Sequence, residues 1–379
     1  MNSPKNTTVA VAMSGGVDSS AAAAMLAEQG YKLIGLTIKT YDYEEVGGNV
    51  GRESTCCSLD GINDARMVAA KLGFPHYVLD FSEKFARTVI DNFVGEYLQG
   101  RTPNPCVICN RKIKWEELIR KATALGADFI ATGHYARVRY DESSGRYILS
   151  RGRDSTKDQS YALWGLTQES LSKTIFPLGD MTKLEVRAFS EHAGLRTARK
   201  PESYEICFIA DNDYERFLKE RMPELESLGG GDTLMDGEIV GKHRGFPFYT
   251  VGQRRGVGIA TGEAVYVTKI DYRNNIIEVG REDELMHRAL IARDVNLIKV
   301  NTLDGGLRVR AKIRYKDEGS PATVYHIEEG AAKVVFDEPR RAITPGQSVV
   351  FYDGDDVVGG GVIDKIVDQQ LEKRSTDAA

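Results

Sequence analysis

The chain lacks an apolar leader and any long hydrophobic run. Met1 to Thr8 is polar, and no window of the 379 residues approaches a membrane span. That excludes a helical membrane protein and gives the expectation of a cytoplasmic one with no membrane partner. Cysteine is scarce and odd in number, five in all, which argues against a disulfide scaffold and for thiol or metal chemistry. An excess of positive charge is missing as well. With a formal net charge of −5, no global field draws the chain to nucleic acid, so any RNA contact falls to local basic surface and DNA is not expected. There is no internal repeat, and the length suits two or three domains.

What is present begins with Ser14-Gly15-Gly16-Val17-Asp18-Ser19-Ser20, set between an apolar run, Thr8 to Met13, and an alanine-rich helix, Ala21 to Glu28. Glycines at a strand-to-helix turn let backbone N–H groups close on phosphate oxygens, while serine hydroxyls and the helix dipole add to the attraction. Asp18 would repel a bare phosphate, so its presence implies a bridging Mg²⁺. The spacing is neither Gly-x4-Gly-Lys-Ser/Thr nor Gly-x-Gly-x-x-Gly. It resembles the pyrophosphate loop of the N-type ATP pyrophosphatases, which cleave ATP between the α and β phosphates.

Periodicity then gives strands at Leu33–Ile38, His76–Phe81 and Phe129–Thr132 and helices at Gly61–Leu72, Glu83–Leu98 and Lys112–Leu125. These βα repeats predict an α/β fold with an N-terminal doubly wound parallel sheet. Gly35, Thr132-Gly133-His134 and the loop around Cys106 are expected at the same mouth as Ser14 to Ser19, beyond the carboxyl ends of the strands. Arg137–Arg151 reads as a hairpin around Glu142-Ser143-Ser144-Gly145. After Cys207 short alternating runs replace helical ones, for example Ala264–Ile270, Leu307–Tyr315 and Ser348–Tyr352. The expected organisation is a catalytic domain over 1–205, a small central linker domain over 206–285, a C-terminal all-β, barrel-like domain over 286–370 and a disordered tail over 371–379.

Two stretches carry local positive charge. Arg101 to Lys157 holds 12 Lys and Arg against 6 Asp and Glu. Arg308, Arg310, Lys312, Arg314 and Lys316 alternate with Val309, Ala311, Ile313 and Tyr315, which on a strand sets five cations on one face, a candidate RNA-facing ribbon.

The second chemical segment is Thr102-Pro103-Asn104-Pro105-Cys106-Val107-Ile108-Cys109-Asn110, ahead of a basic helix beginning at Arg111. The helix dipole, Arg111 and Lys112 favour thiolate here. A lone Cys-x-x-Cys leaves a redox pair, half a zinc site or iron–sulfur ligation open, with zinc disfavoured because no second ligand pair follows. Cys207 alone reads as an ordinary buried cysteine, and Cys56-Cys57 as incidental thiols of a Gly-rich segment, 47–58.

Taken together, AMSGGVDSS, GRTPNPCVICN, ATGHYARV, KDQSY, ICFI, TVGQRRGVGIATG and TPGQ resemble the tRNA-specific 2-thiouridylases, members of the pyrophosphate-loop superfamily that place sulfur on C2 of the wobble uridine, U34. The resemblance spans nearly the whole chain. It implies an adenine nucleotide alpha-hydrolase-like catalytic domain, with ATP contacts at Ala12, Met13, Ser14, Gly15, Gly16, Val17, Asp18, Ser19, Ile38 and Gly133. It implies base or tRNA contacts at Asn104, Pro105, Cys106, His134, Lys157, Asp158, Gln159, Arg314, Tyr315 and Gln347, from a tRNA anticodon stem-loop. Cys109 and Cys207 would be catalytic, Cys207 carrying a persulfide and Cys109 closing a disulfide to release the sulfur, supplied by an upstream donor protein or sulfide. Most members have Asp where Cys106 stands. With that departure, Cys106, Cys109 and Cys207 would instead be able to ligate a four-iron four-sulfur cluster. ATP and Mg²⁺ are the expected cofactors, and C2 would be activated as an O-adenylate before sulfur attack. Two readings compete: a different pyrophosphate-loop ligase, thiolating cytidine or amidating a nucleotide, which should lack KDQSY and the β-rich C-terminus, and a non-enzymatic ATP-sensing RNA-binding protein, which would not need a Cys-x-x-Cys with a distant third thiol.

Overall fold

Alternating Val and Ala make β1 (Thr8–Ala12) a strand that can be buried on both faces, and Val9, Ala10 and Val11 are completely inaccessible. In the computed structural model it is the centre of a parallel sheet of order β3-β2-β1-β4-β7, with β2 Lys32–Lys39, β3 His76–Asp80, β4 Phe129–Ala131 and β7 Thr174–Ile175. All four pairings are parallel. The strand order reverses at β1, so the loops leaving β1 and β4 flank a topological switch point. The structure describes residues 4–41, 59–201, 206–209, 211, 213–259 and 262–367; Cys56, Cys57 and the tail 371–379 lie outside them.

The helix Val17–Glu28 explains the alanine run. One side, Ala23, Ala24 and Leu26, packs with Val9, Val11, Ala65 and Val68, while Val17, Ala21 and Ala22 pack with Tyr135, Leu178 and Val186 on the other. A helix covered on both sides needs small side chains where neighbours approach closely. The hairpin of β5 (Ala136–Asp141) and β6 (Arg146–Arg151) is antiparallel as expected, its turn closed by Asp141 accepting from Ser143, Ser144 and the Ser144 amide.

Two compact units make up the chain, one of residues 1–90, 105–212 and 355–357 and the other of 91–104, 213–354 and 358–379. Residues 91–104 thus group with the second unit although they interrupt the first in sequence. Their helix, Asp91–Tyr97, stacks Tyr97 on Tyr214 with ring centroids 5.5 Å apart and sets Phe93 edge-on to Phe217 at 6.1 Å.

Within the second unit, β8 (Asp232–Met235), β9 (Glu238–Lys242), β10 (Tyr266–Asp271) and β11 (Ile276–Gly280) form a four-stranded sheet of order β10-β11-β8-β9. Six further strands follow: β12 (Met286–Leu297), β13 (Leu307–Lys312), β14 (Ser320–Glu328), β15 (Ala331–Arg341), β16 (Ser348–Asp353) and β17 (Asp356–Val367). They run in the order β12-β15-β14-β13-β16-β17, and a β12–β17 pairing closes them into a barrel. Closure removes the edges an open sheet would expose. Leu290, Val309, Val324, Val334, Phe336 and Phe351 are among the side chains filling its core.

Candidate nucleotide and thiol site

The loop after β1 is fixed by its own residues. Ser19 Oγ accepts from the Ser14 amide at 3.1 Å and lies 3.2 Å from Ser14 Oγ, while Ser20 Oγ donates to the Gly16 carbonyl at 2.8 Å. Gly15 has φ +71°, and an added Cβ would stand 2.1 Å from the Gly61 carbonyl oxygen. Only glycine allows that approach. Gly133, in the loop leaving β4, is equally confined, since a Cβ would come within 2.7 Å of Asp18 C and Ser19 N. The β4 loop therefore lies against the first turn of the helix, and Gly133, Asp18 and Ser19 meet as the sequence suggested.

Asp18 is held by groups the sequence did not single out. Its carboxylate receives Lys183 Nζ at 2.7 and 2.8 Å and the Tyr135 hydroxyl at 2.8 Å. Lys183 is the first residue of the helix Lys183–His192, whose Thr182/Glu185 capping box is complete. The capping box in Thr182-Lys183-Leu184-Glu185 was a readable signal for the helix start; nothing local pointed that lysine at Asp18, 165 residues away.

Below the loop, Thr37, next to Ile38, donates its hydroxyl to the Met13 carbonyl at 2.7 Å and lies 2.8 Å from His76 Nε2. One hydroxyl proton cannot serve both, so Nε2–H is the donor to Thr37. Burial, assisted by the charge of Arg66, lowers the His76 pKa, in keeping with a neutral ring. His134 is neutral more firmly. Burial first, and Lys114 second, hold its pKa well below the usual histidine range, with Trp115 edge-on at 5.3 Å and Phe176 at 6.4 Å. Its Nδ1 is 2.8 Å from Thr132 Oγ1.

Asp158 and Gln159 work on backbone. Asp158 accepts from the Gly152 and Ser160 amides and the Ser160 hydroxyl, and Gln159 Oε1 accepts the Tyr135 amide at 3.0 Å. These bonds order the segment that carries Lys157 and seat Tyr135 beneath Asp18.

Cys106 and Cys109 sit in a helix rather than ahead of one. Helical geometry begins at Pro105, where proline's missing N–H costs nothing, and continues with wider π-type turns over Cys109–Glu117 to Ala124. The expected start at Arg111 was late because the Pro-Asn-Pro entry reads as extended chain. Cys106 is exposed, Cys109 and Cys207 are half-buried, and none of the three is in a disulfide. The carbonyl of Cys207 accepts from the Tyr41 hydroxyl at 2.8 Å, and Phe208 packs edge-on against Phe85 at 5.7 Å. Among the described residues no three His, Cys, Asp or Glu side chains are grouped to hold a metal ion. The donor set expected of an iron–sulfur cluster at Cys106, Cys109 and Cys207 is therefore not assembled.

The entry to the cysteine helix is clamped inside the second unit. Gln347 Nε2 donates to the Thr102 and Pro103 carbonyls at 2.9 and 3.2 Å, the Thr102 amide donates to the Pro345 carbonyl at 2.9 Å, and the Thr102 and Thr250 hydroxyls pair at 3.1 Å. Three of the separated sequence strings, GRTPN, TVGQ and TPGQ, thus meet around Thr102, with Asn104 the last residue before the helix.

The cationic stretches are less positive in space than in sequence. At least six of the twelve cations between 101 and 157 have carboxylate partners: Arg101 with Glu96 and Asp364, Lys112 with Glu116, Arg120 with Glu117, Arg137 with Asp355, Arg139 with Asp356 and Arg153 with Glu185. The expected five-cation ribbon also shortens. β13 ends at Lys312 because Asp317 accepts the Ile313 and Gly319 amides and folds Arg314-Tyr315-Lys316 into a turn, with Arg314 donating to the Arg341 carbonyl. Arg308 and Arg310 remain exposed on one face, Arg308 in a two-pronged pair with Asp337 at 2.7 Å.

Family models match three consecutive segments: a tRNA methyl transferase HUP domain at residues 7–211, a tRNA methyl transferase PRC-barrel domain at 215–281 and an aminomethyltransferase beta-barrel domain at 287–363. The chain is 53% identical over 379 residues to the tRNA-specific 2-thiouridylase MnmA of Salinibacter ruber, covering 99% of each, and 51% identical over 363 residues to that of Cytophaga hutchinsonii, covering 95% of this chain and 98% of the other. The chain belongs to the tRNA-specific 2-thiouridylase family. Among solved structures it is similar to the U34-tRNA thiolase NcsA from Methanococcus maripaludis with its four-iron four-sulfur cluster, at 24% identity and a TM-score of 0.35, covering 59% of this chain and 70% of that one. No helix among the described residues is long and apolar enough to cross a membrane.

Proposed function

We propose that this protein thiolates C2 of the wobble uridine, U34, in the anticodon stem-loop of tRNA, consuming ATP and releasing AMP and pyrophosphate in the cytoplasm, where tRNA and reduced thiols occur. The observation that carries the reading is the conjunction, in one compact unit of a chain from this family, of a pyrophosphate loop at the sheet's switch point with Cys106, Cys109 and Cys207. The words methyl transferase stand in two of the family-model names, whereas the relatives that match over nearly the whole chain are 2-thiouridylases.

The chemistry follows from the residues. ATP would lie with its phosphates on the amides and hydroxyls of Ser14 to Ser19, flanked by Ile38 and Gly133, with Asp18 as ligand of the ATP-borne Mg²⁺. The extruded uracil would lie toward Cys106 and His134. With Nδ1 engaged by Thr132, a neutral His134 offers its Nε2 to an uncharged base without placing a buried positive charge beside it. The C2 oxygen attacks the α-phosphate and pyrophosphate leaves, making the oxygen a good leaving group. A persulfide on Cys207, formed when its thiolate takes the outer sulfur of a persulfide on a donor protein and leaves that protein's thiol behind, attacks C2 with its outer sulfur and AMP departs. Cys109 thiolate then attacks Cys207 Sγ, the sulfur–sulfur bond breaks, the sulfur stays on C2, and the resulting Cys109–Cys207 disulfide returns to thiols at the expense of a reducing dithiol. Lys157, Arg314, Tyr315 and the cations of β13 supply phosphate and stacking contacts to the tRNA.

The test is mass spectrometry of nucleosides from unmodified tRNA incubated with enzyme, MgATP and a persulfide donor. The reading expects 2-thiouridine at position 34, one AMP per sulfur, and loss of product in Cys109→Ala and Cys207→Ala. Product formed without ATP would refute it, and dependence on iron and sulfide in enzyme bearing intact thiols would replace the persulfide with the cluster.

A further inference from the structure

Lys183 occupies a position that stability alone does not favour. It stands at the first position of its helix, where the macrodipole disfavours a cation. Its side chain is only 10% exposed, so the ammonium is also largely stripped of water. What offsets both costs is Asp18, reached with two short contacts, and the Tyr135 ring, whose centroid lies 5.8 Å from Nζ. Asp18 lies in the first turn of the pyrophosphate-loop helix, one residue before Ser19, whose hydroxyl organises the loop. The ammonium is thus held about one hydrogen bond from the carboxylate, at the end of the helix where backbone N–H groups await an anion.

We infer that Lys183 is a nucleotide-binding residue for the β and γ phosphates, paired with Asp18 until MgATP arrives and then exchanging that carboxylate for phosphate oxygen. The inference deepens the proposed ATP-dependent reading and rests on it. Its electrostatic logic is an exchange of like partners. When Mg²⁺ engages Asp18, the metal takes over the role of counter-charge, and Lys183 turns to the anion that came with it, so no charge is left unpaired in the half-buried site. The pyrophosphate leaving group then meets a second fixed cation beside the metal, which stabilises the charge developing as the α–β bond breaks. Tyr135, bonded to Asp18 and carried on the backbone that Gln159 pins, keeps the carboxylate in place through the exchange.

Binding of inorganic pyrophosphate, AMP and ATP, measured by titration calorimetry on the full chain, tests this. Lys183→Met should weaken pyrophosphate and MgATP by about tenfold or more, the worth of a charge-assisted hydrogen bond, and leave AMP unchanged. An equal loss for all three ligands would mean a merely structural role, and no loss would remove Lys183 from the site; either result overturns the inference. Because Lys183→Met strands the Asp18 charge and threatens folding, the decisive pair is Asp18→Asn and Asp18→Asn/Lys183→Met in EDTA. Released from its carboxylate, Lys183 should make Asp18→Asn bind metal-free pyrophosphate more tightly than wild type, and the double variant should lose that gain. Identical affinities in the two variants would refute the inference even if wild type binds MgATP. Wild type that binds neither MgATP nor pyrophosphate would refute the ATP-dependent reading itself.

Discussion

The nucleotide loop and the entry to the cysteine helix are built in opposite ways. Between Ser14 and Ser20 the hydrogen bonds that shape the loop span three to five residues. At Thr102 and Pro103 they reach Thr250, Pro345 and Gln347, as far as 245 residues along the chain. The loop's own bonds all belong to the first unit, as do Gly61 and Gly133, which pack on it, and Tyr135 and Lys183, which hold Asp18. The segment just ahead of Pro105 takes its conformation from residues 148 to 245 positions away. ATP binding should therefore survive damage to the second unit, whereas sulfur transfer should not.

The largest effect that would sharpen this contrast is expected at Gly133. An added Cβ meets Asp18 and Ser19 backbone at 2.7 Å, neither of which can yield as a side-chain tip would. Overpacking of this kind costs about 1–3 kcal/mol, so Gly133→Ala should lower MgATP affinity by roughly tenfold or more in calorimetry. Unchanged affinity would mean that the β4 loop does not shape the phosphate site.

Next comes Gln347→Ala, which removes two donors from the Thr102 and Pro103 carbonyls. At about 1 kcal/mol per bond, 2-thiouridine formation should fall roughly tenfold while MgATP binding stays at the wild-type value. A parallel loss of ATP affinity would break the distinction between the two regions.

A smaller change is expected on the barrel. Neutralising Arg308, Arg310 and Lys312 should weaken tRNA binding and reduce its salt dependence, by about one unit of slope for each phosphate no longer neutralised. Arg308 should contribute least, because Asp337 already satisfies it. A salt slope equal to wild type in the triple variant would turn this face away from RNA.

The smallest is a pH effect on stability. His134, His76 and His243 all have lowered pKa values, with burial the leading cause in each. Such groups stay neutral in the folded protein while the unfolded chain takes up protons below about pH 6.5. Stability is therefore full above that pH and falls as the pH drops. Denaturant melts between pH 7 and 5 should show the fall, and His134→Gln should flatten it by roughly one proton's share. An unaltered slope would mean that His134 titrates normally.

How much of this was legible in the sequence follows the same local–remote division. The order of strands and helices through β4, the β5–β6 hairpin and the phosphate loop were readable because their signals are local: strand alternation, glycine at a strand-to-helix turn, serine and aspartate at a helix start; β7 was not, since residues 160–194 read as helical throughout and this two-residue strand is defined by its pairing with β4. β12, β14 and β17 were not read as strands, because their register is set by partners in the barrel. Lys183 was hidden for the same reason, since its role comes from Asp18 across the fold. Charge was misjudged where it was counted along the chain, as Arg137 and Arg139 find Asp355 and Asp356 from the far C-terminal part of the sequence.

The central claim, that a magnesium-bound ATP at Asp18 activates the uridine, is tested most directly by AMP release. With wild-type enzyme and unmodified tRNA, AMP should form in step with 2-thiouridine, and Asp18→Asn, which keeps the shape of the carboxylate, should release AMP at least a hundredfold more slowly, about the worth of 2.7 kcal/mol. AMP release by Asp18→Asn at the wild-type rate would contradict the account.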